Sequence, residues 1–196
     1  MDINSIDNSL VSLNNLSNNK QIGLSVMMYT EDYEETYPAK IDGSANFGGH
    51  MQTVPNEIYP YCKNWKIFTC PSQPAHPYSM KESKGILDSP ADGLYKYNWH
   101  YSFSAHVMPI VDGNGNILKG DKITTLGSIE KPATKVIMFE QGNVNSNVTT
   151  VDMMWGNLSD LTRHNGGANY TFADGHAKFF KYDGGIPWNA NPDCQF

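Results

Sequence analysis

The stretch that decides the fold is Arg163-His164-Asn165-Gly166-Gly167-Ala168-Asn169-Tyr170-Thr171-Phe172-Ala173-Asp174-Gly175-His176. Apolar and polar side chains alternate from Ala168 to Ala173, which is typical of a β-strand. Asp174-Gly175 is a strong signal for a tight turn, and the run Ala177–Tyr182 supplies a second strand. The sequence therefore predicts a β-hairpin that bends at Asp174-Gly175, with His164 just ahead of its first strand.

Length and composition favour one loop-rich domain. The chain has 196 residues, of which 39% are hydrophobic, and it contains 17 Gly and 11 Pro. Such a composition indicates β structure with many loops rather than a helical bundle. The formal net charge is -6, and the 14 Lys and Arg form no dense cluster. Nucleic acid is therefore not expected as a partner.

A helix is predicted near the N-terminus. Apolar residues recur at intervals of three and four between Ser9 and Asp32, which indicates an amphipathic helix. We expect Ile22, Met27 and Met28 to lie in the core rather than to form a ligand-binding stripe. The recurring positions are Leu10, Leu13, Leu16, Ile22, Val26, Met27 and Tyr29.

The middle of the chain is rich in turn-forming residues. Beyond Tyr37-Pro38 we expect loops with a short helix near Thr53 to Asn64. Ile67 to Cys70 is predicted as a strand that Pro71 ends. The stretch from Lys81 to Asp92 is predicted to be an irregular insertion.

Further strands are predicted before the hairpin. The segment from Tyr95 to Val111 should supply one or two strands, followed by a turn at Asp112 to Asn116. Val136–Phe139 is the most apolar candidate and is predicted to be the central strand. Pro187 to Phe196 is expected to be a tail laid over the sheet. The return strand after the turn would contain Ile117, Leu118 and Ile123.

These blocks, taken in order, resemble a known family of bacterial proteins. His164 followed by Asp174-Gly175 resembles the H-X9-DG domain at the C-terminal end of many prepilin-like proteins, within the type II secretion pseudopilin and type IV pilin group. Matches to the family span roughly residues 15 to 182. The other matching blocks are Asn18–Leu24, Met28–Tyr33, Tyr59–Tyr61, Ile67–Ser72, Tyr95–Asn98 and Ile129–Phe139.

The resemblance implies a pilin-like α+β fold. An N-terminal α-helix, with residues 1–35 as its C-terminal part, would pack on an antiparallel sheet of about four or more strands. Residues 36–196 would form a β-rich head with loop-rich insertions, in one structural unit with the helix. Family members begin with a basic leader, a processing site and a hydrophobic helix. We therefore expect this chain, soluble as given, to start partway down that helix, with the lower half partly exposed.

The same resemblance implies a structural role in protein secretion or attachment. Copies would pack through their N-terminal helices with other pilin or pseudopilin subunits of the secretion or pilus machinery. The head would lie in the periplasm on a subunit anchored in the inner membrane, or outside the cell in a fibre. Leu16, Ile22 and Val26 would be packing residues of the helix, while His164 and Asp174-Gly175 would hold the head. No cofactor is required for such a role.

His164 and Asp174 are also the first candidates for chemistry. If the strand between them were fully extended, they would lie about 30 Å apart, which argues against a catalytic pair. The favoured interpretation is structural: Asp174 would accept backbone N–H groups across its turn, and His164 would bridge the preceding loop to the sheet. Metal ligation and acid–base catalysis are the less favoured alternatives.

Calcium is the one ion for which the sequence offers candidate ligands. Asp112-x-Asn114-x-Asn116 begins like an EF-hand loop, but Ile117 and Ile123 stand where that loop needs Gly and Glu. A plain turn is therefore favoured there. A second candidate set consists of C-terminal carboxylates, namely Asp174, Asp183 and Asp193.

Enzyme activity is not expected. The chain lacks the Gly-x-Ser-x-Gly elbow of hydrolases and the paired histidines of metalloproteases. The alternative from another class is a secreted or surface-displayed head that binds carbohydrate or another ligand, with or without calcium, because aromatic faces can stack on sugars. The candidate binding aromatics are Trp99, Tyr101, Trp155 and Trp188.

Cys62, Cys70 and Cys194 fit no zinc pattern and allow at most one internal disulfide. Two alternatives stay open from the residues: a Cys62–Cys70 bond, or three unpaired thiols. In related sequences the cysteine of the Cys-Pro-Ser block often occurs together with one on the N-terminal helix. Asn15 stands at that helix position here, so the resemblance implies that the family disulfide is lost.

Overall fold

A computed structural model describes residues 3–41, 54–72, 101–104, 106–112, 114, 116–119, 124–140 and 164–181. In these ranges the chain is α+β, which confirms the predicted class. No helix of the described ranges combines the length and the apolar character that crossing a bilayer requires. The predicted insertion at Lys81 to Asp92 and the predicted tail at Pro187 to Phe196 lie outside the described residues.

Among the described elements, both α-helices precede all the strands except β1. The α-helices are α1, Ile3–Asp32, and α2, Val54–Cys62, and single 3₁₀ turns form at Trp65–Phe68 and Leu126–Ser128. The strands are β1, Lys40–Ile41; β2, Tyr101–Phe103; β3, Ile110–Val111; β4, Ile117–Lys119; β5, Val136–Glu140; β6, Gly167–Phe172; and β7, Ala177–Lys181.

Helix α1 begins earlier than the predicted Ser9. The predicted amphipathic pattern is wrong, because Leu10 and Leu13 are exposed on the side opposite Ile22 and Val26. Ile22 and Val26 are fully buried, and Leu16 is half-buried. The prediction that Met28 lies in the core is wrong, because its side chain is 42% exposed. Two residues along a helix turn the side chain by about 200°, which places Met28 opposite the buried Val26.

The main sheet is antiparallel, with strand order β2-β5-β6-β7. Strand β5 lies between β2 and β6, so the prediction of an interior strand at Val136–Phe139 is confirmed. The predicted hairpin is also confirmed, as β6 and β7 at the edge of the sheet. Every residue of β6 is buried. One face of β6 contacts α1, while Tyr170 and Phe172 on the other face form an apolar cluster that includes Phe139.

The small sheet has the order β1-β3-β4, with β1 parallel to β3. Strands β3 and β4 form the predicted return after Asp112, with Ile117 and Leu118 on β4. The segment from Tyr95 to Val111 contributes β2 and β3, as predicted, although residues 95–100 lie outside the described part. The predicted return residue Ile123 lies outside it as well.

The short helix expected near Thr53 to Asn64 is present as α2, but the strand predicted at Ile67 to Cys70 is wrong. Trp65–Phe68 forms a 3₁₀ turn instead, and the Asn64 side chain caps it by accepting the Lys66 N–H at 3.1 Å. The Trp65 ring also stacks on Tyr59 of α2, with ring centroids 4.3 Å apart. Local capping and packing on the helices therefore overrode the strand propensity of this segment.

Helix α1 meets the hairpin through two glycines. An added Cβ at Gly23 would lie 2.2 Å from the carbonyl oxygen of Gly175, and one at Gly175 would lie 2.5 Å from Cγ of Met27. Gly175 also has a φ of +84°, in the left-handed region that L side chains rarely adopt. Backbone therefore packs directly on backbone at the Asp174-Gly175 turn, and neither glycine leaves room for a larger side chain.

We expect Gly23→Ala to destabilise the fold, although Ala is the better helix former by about 1 kcal/mol. Overpacking against backbone costs about 1–3 kcal/mol, so the net loss should lower Tm by roughly 2–8 °C in thermal unfolding. Gly127→Ala is the matched control, because its added Cβ would meet only the end of the Glu35 side chain, at 3.3 Å. A Gly23→Ala variant as stable as Gly127→Ala would contradict the close contact.

Candidate functional site

His164 and Asp174 lie at opposite ends of β6, in different surroundings. His164 is buried, whereas Asp174 lies on the exposed turn. The chain is not fully extended between them, because residues 165 and 166 have φ angles of +51° and +81°. This turn folds His164 back beside Gly167, where the two backbones exchange hydrogen bonds of 3.0 Å in both directions.

Asp174 stabilises its own turn. Its carboxylate accepts the backbone N–H of His176 at 3.1 Å and also contacts Nδ1 of the His176 ring. The Gly175 N–H donates to the carbonyl of Phe172 at 2.8 Å. The carboxylate of Asp174 is thus engaged within the hairpin, in the structural role expected for it.

The Asp112 carboxylate likewise closes a turn. Its oxygens accept the backbone N–H groups of Asn114 and Asn116 and the side-chain amide of Asn116, each at 2.8 Å. These hydrogen bonds, above all those from Asn116, lower the pKa of Asp112. Within the described ranges, no group of three or more His, Cys, Asp or Glu side chains is arranged to hold a metal ion. Asp183 and Asp193 lie outside those ranges.

Of the four candidate binding aromatics, Tyr101 is the one that lies among the described residues. Tyr101 is only 2% exposed, so its ring cannot stack on an external ligand. The prediction that Tyr101 is a binding aromatic is therefore wrong. Its burial follows from its place in β2, where it pairs with Glu140 of β5. Trp99, Trp155 and Trp188 lie outside the described residues.

The structure brings together a different set of side chains. They are buried between α1 and one end of the main sheet, where β2 begins, β5 ends and β6 begins. We call this set the Asn15 cluster. Its members come from α1, from the segment after the 3₁₀ turn, from β2, from β5 and from the residue that precedes β6. They are Asn15, Cys70, Tyr101, Glu140 and His164, each at most 6% exposed.

Strand pairing and helix periodicity explain why these residues meet. Tyr101 opens β2 and is in register with Glu140, the last residue of β5. Asn15 lies eight residues before Gly23, which is a little over two helical turns, so both residues face the sheet. The turn at residues 165–166 then folds His164 onto the same edge.

Asn15 is the centre of the cluster. Its side-chain N–H₂ group donates to Glu140 and contacts Nε2 of His164, and it lies 3.4 Å from the Cys70 sulfur. The Tyr101 hydroxyl donates to Oδ1 of Asn15. A single amide therefore contacts a thiol, an imidazole, a carboxylate and a phenol, all away from water.

A second layer of polar groups positions the cluster. Oε1 of Glu140 accepts from the Asn169 amide at 3.0 Å, and Ser72 lies 3.3 Å from Nδ1 of His164. Asn19 donates to the backbone and side-chain oxygens of Asn15 at 3.0 and 3.1 Å. Thr171 of β6 in turn donates to Asn19 at 3.2 Å. The cluster is thus tied to α1 and the sheet at once.

The surroundings of His164 shift the pKa of its imidazole. Burial lowers its pKa, but hydrogen bonds and charge interactions with Cys70 and Glu140 together outweigh burial and raise the pKa to about 9. The Glu140 carboxylate lies 3.1 Å from Nε2 of His164, and the Cys70 sulfur lies 3.3 Å from the same nitrogen. The imidazole therefore carries a proton at neutral pH and shares it within the cluster.

Of the two alternatives left open by the sequence, the Cys62–Cys70 disulfide is not formed. Cys194 lies outside the described residues. Cys70 instead faces Asn15, the helix position at which the resemblance places a cysteine partner. Cys70 and Asn15 are therefore in contact here through a hydrogen bond, although 55 residues separate them in the chain.

Sequence patterns and the family resemblance single out His164, Tyr101, Cys70 and Asn15 for separate reasons, but they do not predict that these residues form one cluster with Glu140. Asn15 and Asn19 have the i, i+4 spacing of one helix face, and Glu140 ends the most apolar strand. Both signals indicate buried polar groups, because a polar residue on a core-facing position needs a partner. The partners themselves come from segments far apart in the chain, and no local pattern pairs them.

We expect an NMR titration to place the pKa of His164 near 9, above its usual value. A raised pKa in the folded state contributes stability that is complete below about pH 6.5 and is lost as the pH rises through about 9. Tm should therefore fall over that range. Cys70 and Glu140 are the ionisable groups that contact the imidazole.

His164→Gln should flatten this pH dependence. Glu140→Gln, which keeps the volume and removes the charge, should move the His164 pKa downward. Parallel Tm curves for the wild type and His164→Gln would show that His164 is not the titrating group.

Comparisons of this chain with known proteins find no match. A scan against protein-family models finds no matching family. Searches of the curated proteins and of the solved structures also find no match. The function therefore rests on the chain's own residues and contacts.

Proposed function

We propose that this chain is a non-enzymatic structural subunit of a pilin-like assembly, as in type II secretion pseudopili or type IV pili. Three features support the proposal. The N-terminal helix α1 has 30 residues and packs on an antiparallel sheet through its C-terminal half. The hairpin that receives it carries His164 and Asp174-Gly175, the motif by which the chain resembles prepilin-like proteins.

The observation that carries the proposal is an apolar row on the outer face of α1. Leu10, Leu13, Leu24 and Met28 are 54, 62, 61 and 42% exposed. At about 100° per residue, these four positions fall within a sector of about 60° on the side opposite Ile22 and Val26. The fold therefore leaves two apolar pairs uncovered on one side of the helix, Leu10 with Leu13 and Leu24 with Met28, and the exposed polar residues Ser17, Lys20 and Gln21 lie between the pairs.

Packing this face against another helix would remove it from water. Full burial of one Leu side chain is worth about 1.5–3 kcal/mol, so each of these contacts would favour association. We propose that the face packs against helices of other pilin or pseudopilin subunits. Ile22 and Val26, expected together with Leu16 as packing residues, lie in the chain's own core and would hold the head. In this proposal the subunit is anchored in the inner membrane with a periplasmic head, or is part of an extracellular fibre.

The burial of the Asn15 cluster also supports a structural role. Its imidazole contacts the thiol, the carboxylate and the Asn15 amide, and each of these side chains is at most 6% exposed. An enzyme acting on an external substrate needs such groups within reach of that substrate. We propose that the cluster fixes α1 on the head and that no resident cofactor is required.

The proposal predicts that Leu13 lies at a subunit interface. A photo-crosslinking amino acid at position 13 of the full-length gene product, expressed in cells of its source, should yield a ladder of crosslinked subunits. The matched control is position 178, where Lys178 is exposed on β7. We expect at least tenfold less subunit crosslinking there. Equal yields at both positions, or no subunit adduct at position 13, would contradict assembly through α1.

The alternative function is a surface-displayed domain that binds carbohydrate or another ligand. One observation favours it: Tyr33 is 54% exposed and stacks on Tyr29, with ring centroids 4.2 Å apart. A preorganised aromatic face of this kind suits the apolar side of a sugar ring. If a glycan array detects binding that Tyr33→Ala lowers at least tenfold while Lys178→Ala does not, the binding function would gain over assembly.

A further inference from the structure

The exposed side of α1 carries one positive and one negative charge in line with its apolar pairs. Lys20 is the one basic residue in the sequence of α1, and its side chain is exposed. Glu31, near the end of the helix, is exposed as well. At about 100° per residue, both lie within about 40° of Leu24 around the helix axis. Apolar and charged side chains therefore share the side of α1 that faces away from the head.

The spacing of these residues repeats along the helix. Leu13 and Leu24 are eleven residues apart, and so are Lys20 and Glu31. Eleven residues make about three turns of an α-helix, which rotates a side chain by only about 20° and advances it by about 16.5 Å. The first half of α1 thus presents a leucine with a lysine seven residues later, and the second half presents a leucine with a glutamate seven residues later.

This repeat fits a second copy of the same chain. Taking the proposed assembly through α1 as its basis, we propose that the α1 helices of two copies pack in parallel with a stagger of eleven residues. Leu24 and Glu31 of one copy then contact Leu13 and Lys20 of the next. Each copy uses both halves of α1, so the contact is heterologous and can be repeated from copy to copy.

The other exposed positions are compatible with this register. Met28 of the first copy lies opposite Ser17 of the second, where a small side chain leaves room for a large one. Leu10 of the second copy lies opposite Gln21 of the first. The polar residues between the two apolar pairs of one helix therefore meet apolar residues of the neighbouring helix rather than one another.

Charge separates this register from two others that the apolar residues allow. An antiparallel pair would match Leu10 with Met28 and Leu13 with Leu24, but it would bring the two Lys20 side chains within about one helical turn of each other. A parallel pair without a stagger would place Lys20 beside Lys20 and Glu31 beside Glu31. Like charges at neighbouring positions are destabilising. The stagger of eleven residues instead brings opposite charges together.

The apolar and charged residues have different roles in this contact. Burial of the leucines supplies most of the attraction between the helices. An exposed ion pair adds little affinity, but charge complementarity suppresses wrong alignments and fixes register. Lys20 and Glu31 therefore select how far one helix is shifted along the next, which the leucines alone would leave open.

The test is disulfide trapping between two differently tagged copies of the full-length gene product, expressed together in cells of its source. One copy carries Met28→Cys and the other carries Ser17→Cys, both at exposed positions of α1. Mild oxidation should yield a dimer that contains both tags. A Met28→Cys copy expressed with an unsubstituted copy measures the disulfides that the native cysteines form.

The matched control pairs Met28→Cys with Leu10→Cys, which an antiparallel packing would join. In the staggered register, position 10 lies about 10.5 Å along the helix from position 17. A disulfide needs Cβ atoms about 3.5–4.5 Å apart, so we expect about fivefold less mixed dimer from this control pair.

Charge reversal tests the ion pair itself. Glu31→Lys in the Met28→Cys copy, or Lys20→Glu in the Ser17→Cys copy, should each lower the yield of mixed dimer about threefold. The two reversals together should restore the yield, because opposite charges then face each other again. Lys178→Glu in the Ser17→Cys copy is the control, since Lys178 is exposed on β7, and it should leave the yield unchanged.

Two results would overturn the staggered register. One is a higher yield from the Leu10→Cys pair than from the Ser17→Cys pair, and the other is no recovery when both charges are reversed. If either occurs while position 13 still yields subunit adducts, assembly through α1 stands and only the register is wrong. If those adducts are missing as well, the proposed function itself is contradicted.

Discussion

The close contact between Gly23 of α1 and the Gly175 turn is the constraint on which the other contacts depend. With no Cβ on either side, helix backbone rests on hairpin backbone. Four residues along a helix advance about 6 Å, and two residues along a strand advance about 6.6 Å. Starting from Gly23, one helical turn back brings Asn19 onto Thr171, and the next turn brings Asn15 to Glu140. The glycine contact therefore sets the register of the whole interface.

That register buries polar side chains at positions where apolar side chains would need no hydrogen-bond partners. A buried charge pair stabilises a fold only if its geometry is good and its remaining hydrogen-bonding atoms find partners. Here the Asn15 side chain supplies two of these hydrogen bonds, because it donates to Glu140 and accepts from Tyr101. A hydrophobic residue at position 15 would leave Glu140 and His164 buried with fewer partners. The cluster thus favours one position of α1 on the sheet. An apolar stripe would also tolerate positions in which α1 is shifted along the sheet.

The sequence predicted the parts of the fold that local patterns encode. Alternation identified β6, the Asp174-Gly175 signal identified its turn, and the apolar run at Val136–Phe139 identified the interior strand. The 3₁₀ turn at Trp65–Phe68 was missed because capping by Asn64 and stacking on Tyr59 outweigh strand propensity there. The Asn15 cluster was missed because its members are separated by up to 149 residues. These residues come together only in the folded main sheet, at the end where β5 ends and β6 begins.

The contacts between α1 and the two ends of β6 explain the nine-residue spacing between His164 and Asp174. Strand β6 has six residues, and the remaining positions form the turn that folds His164 back and the approach to the hairpin bend. His164 then contacts α1 at Asn15, while Gly175 contacts the same helix at Gly23. The two ends of the motif thus fasten one helix at two points, about 12 Å apart along its axis. A longer or shorter spacing would move one of these points off the helix face that contains the other.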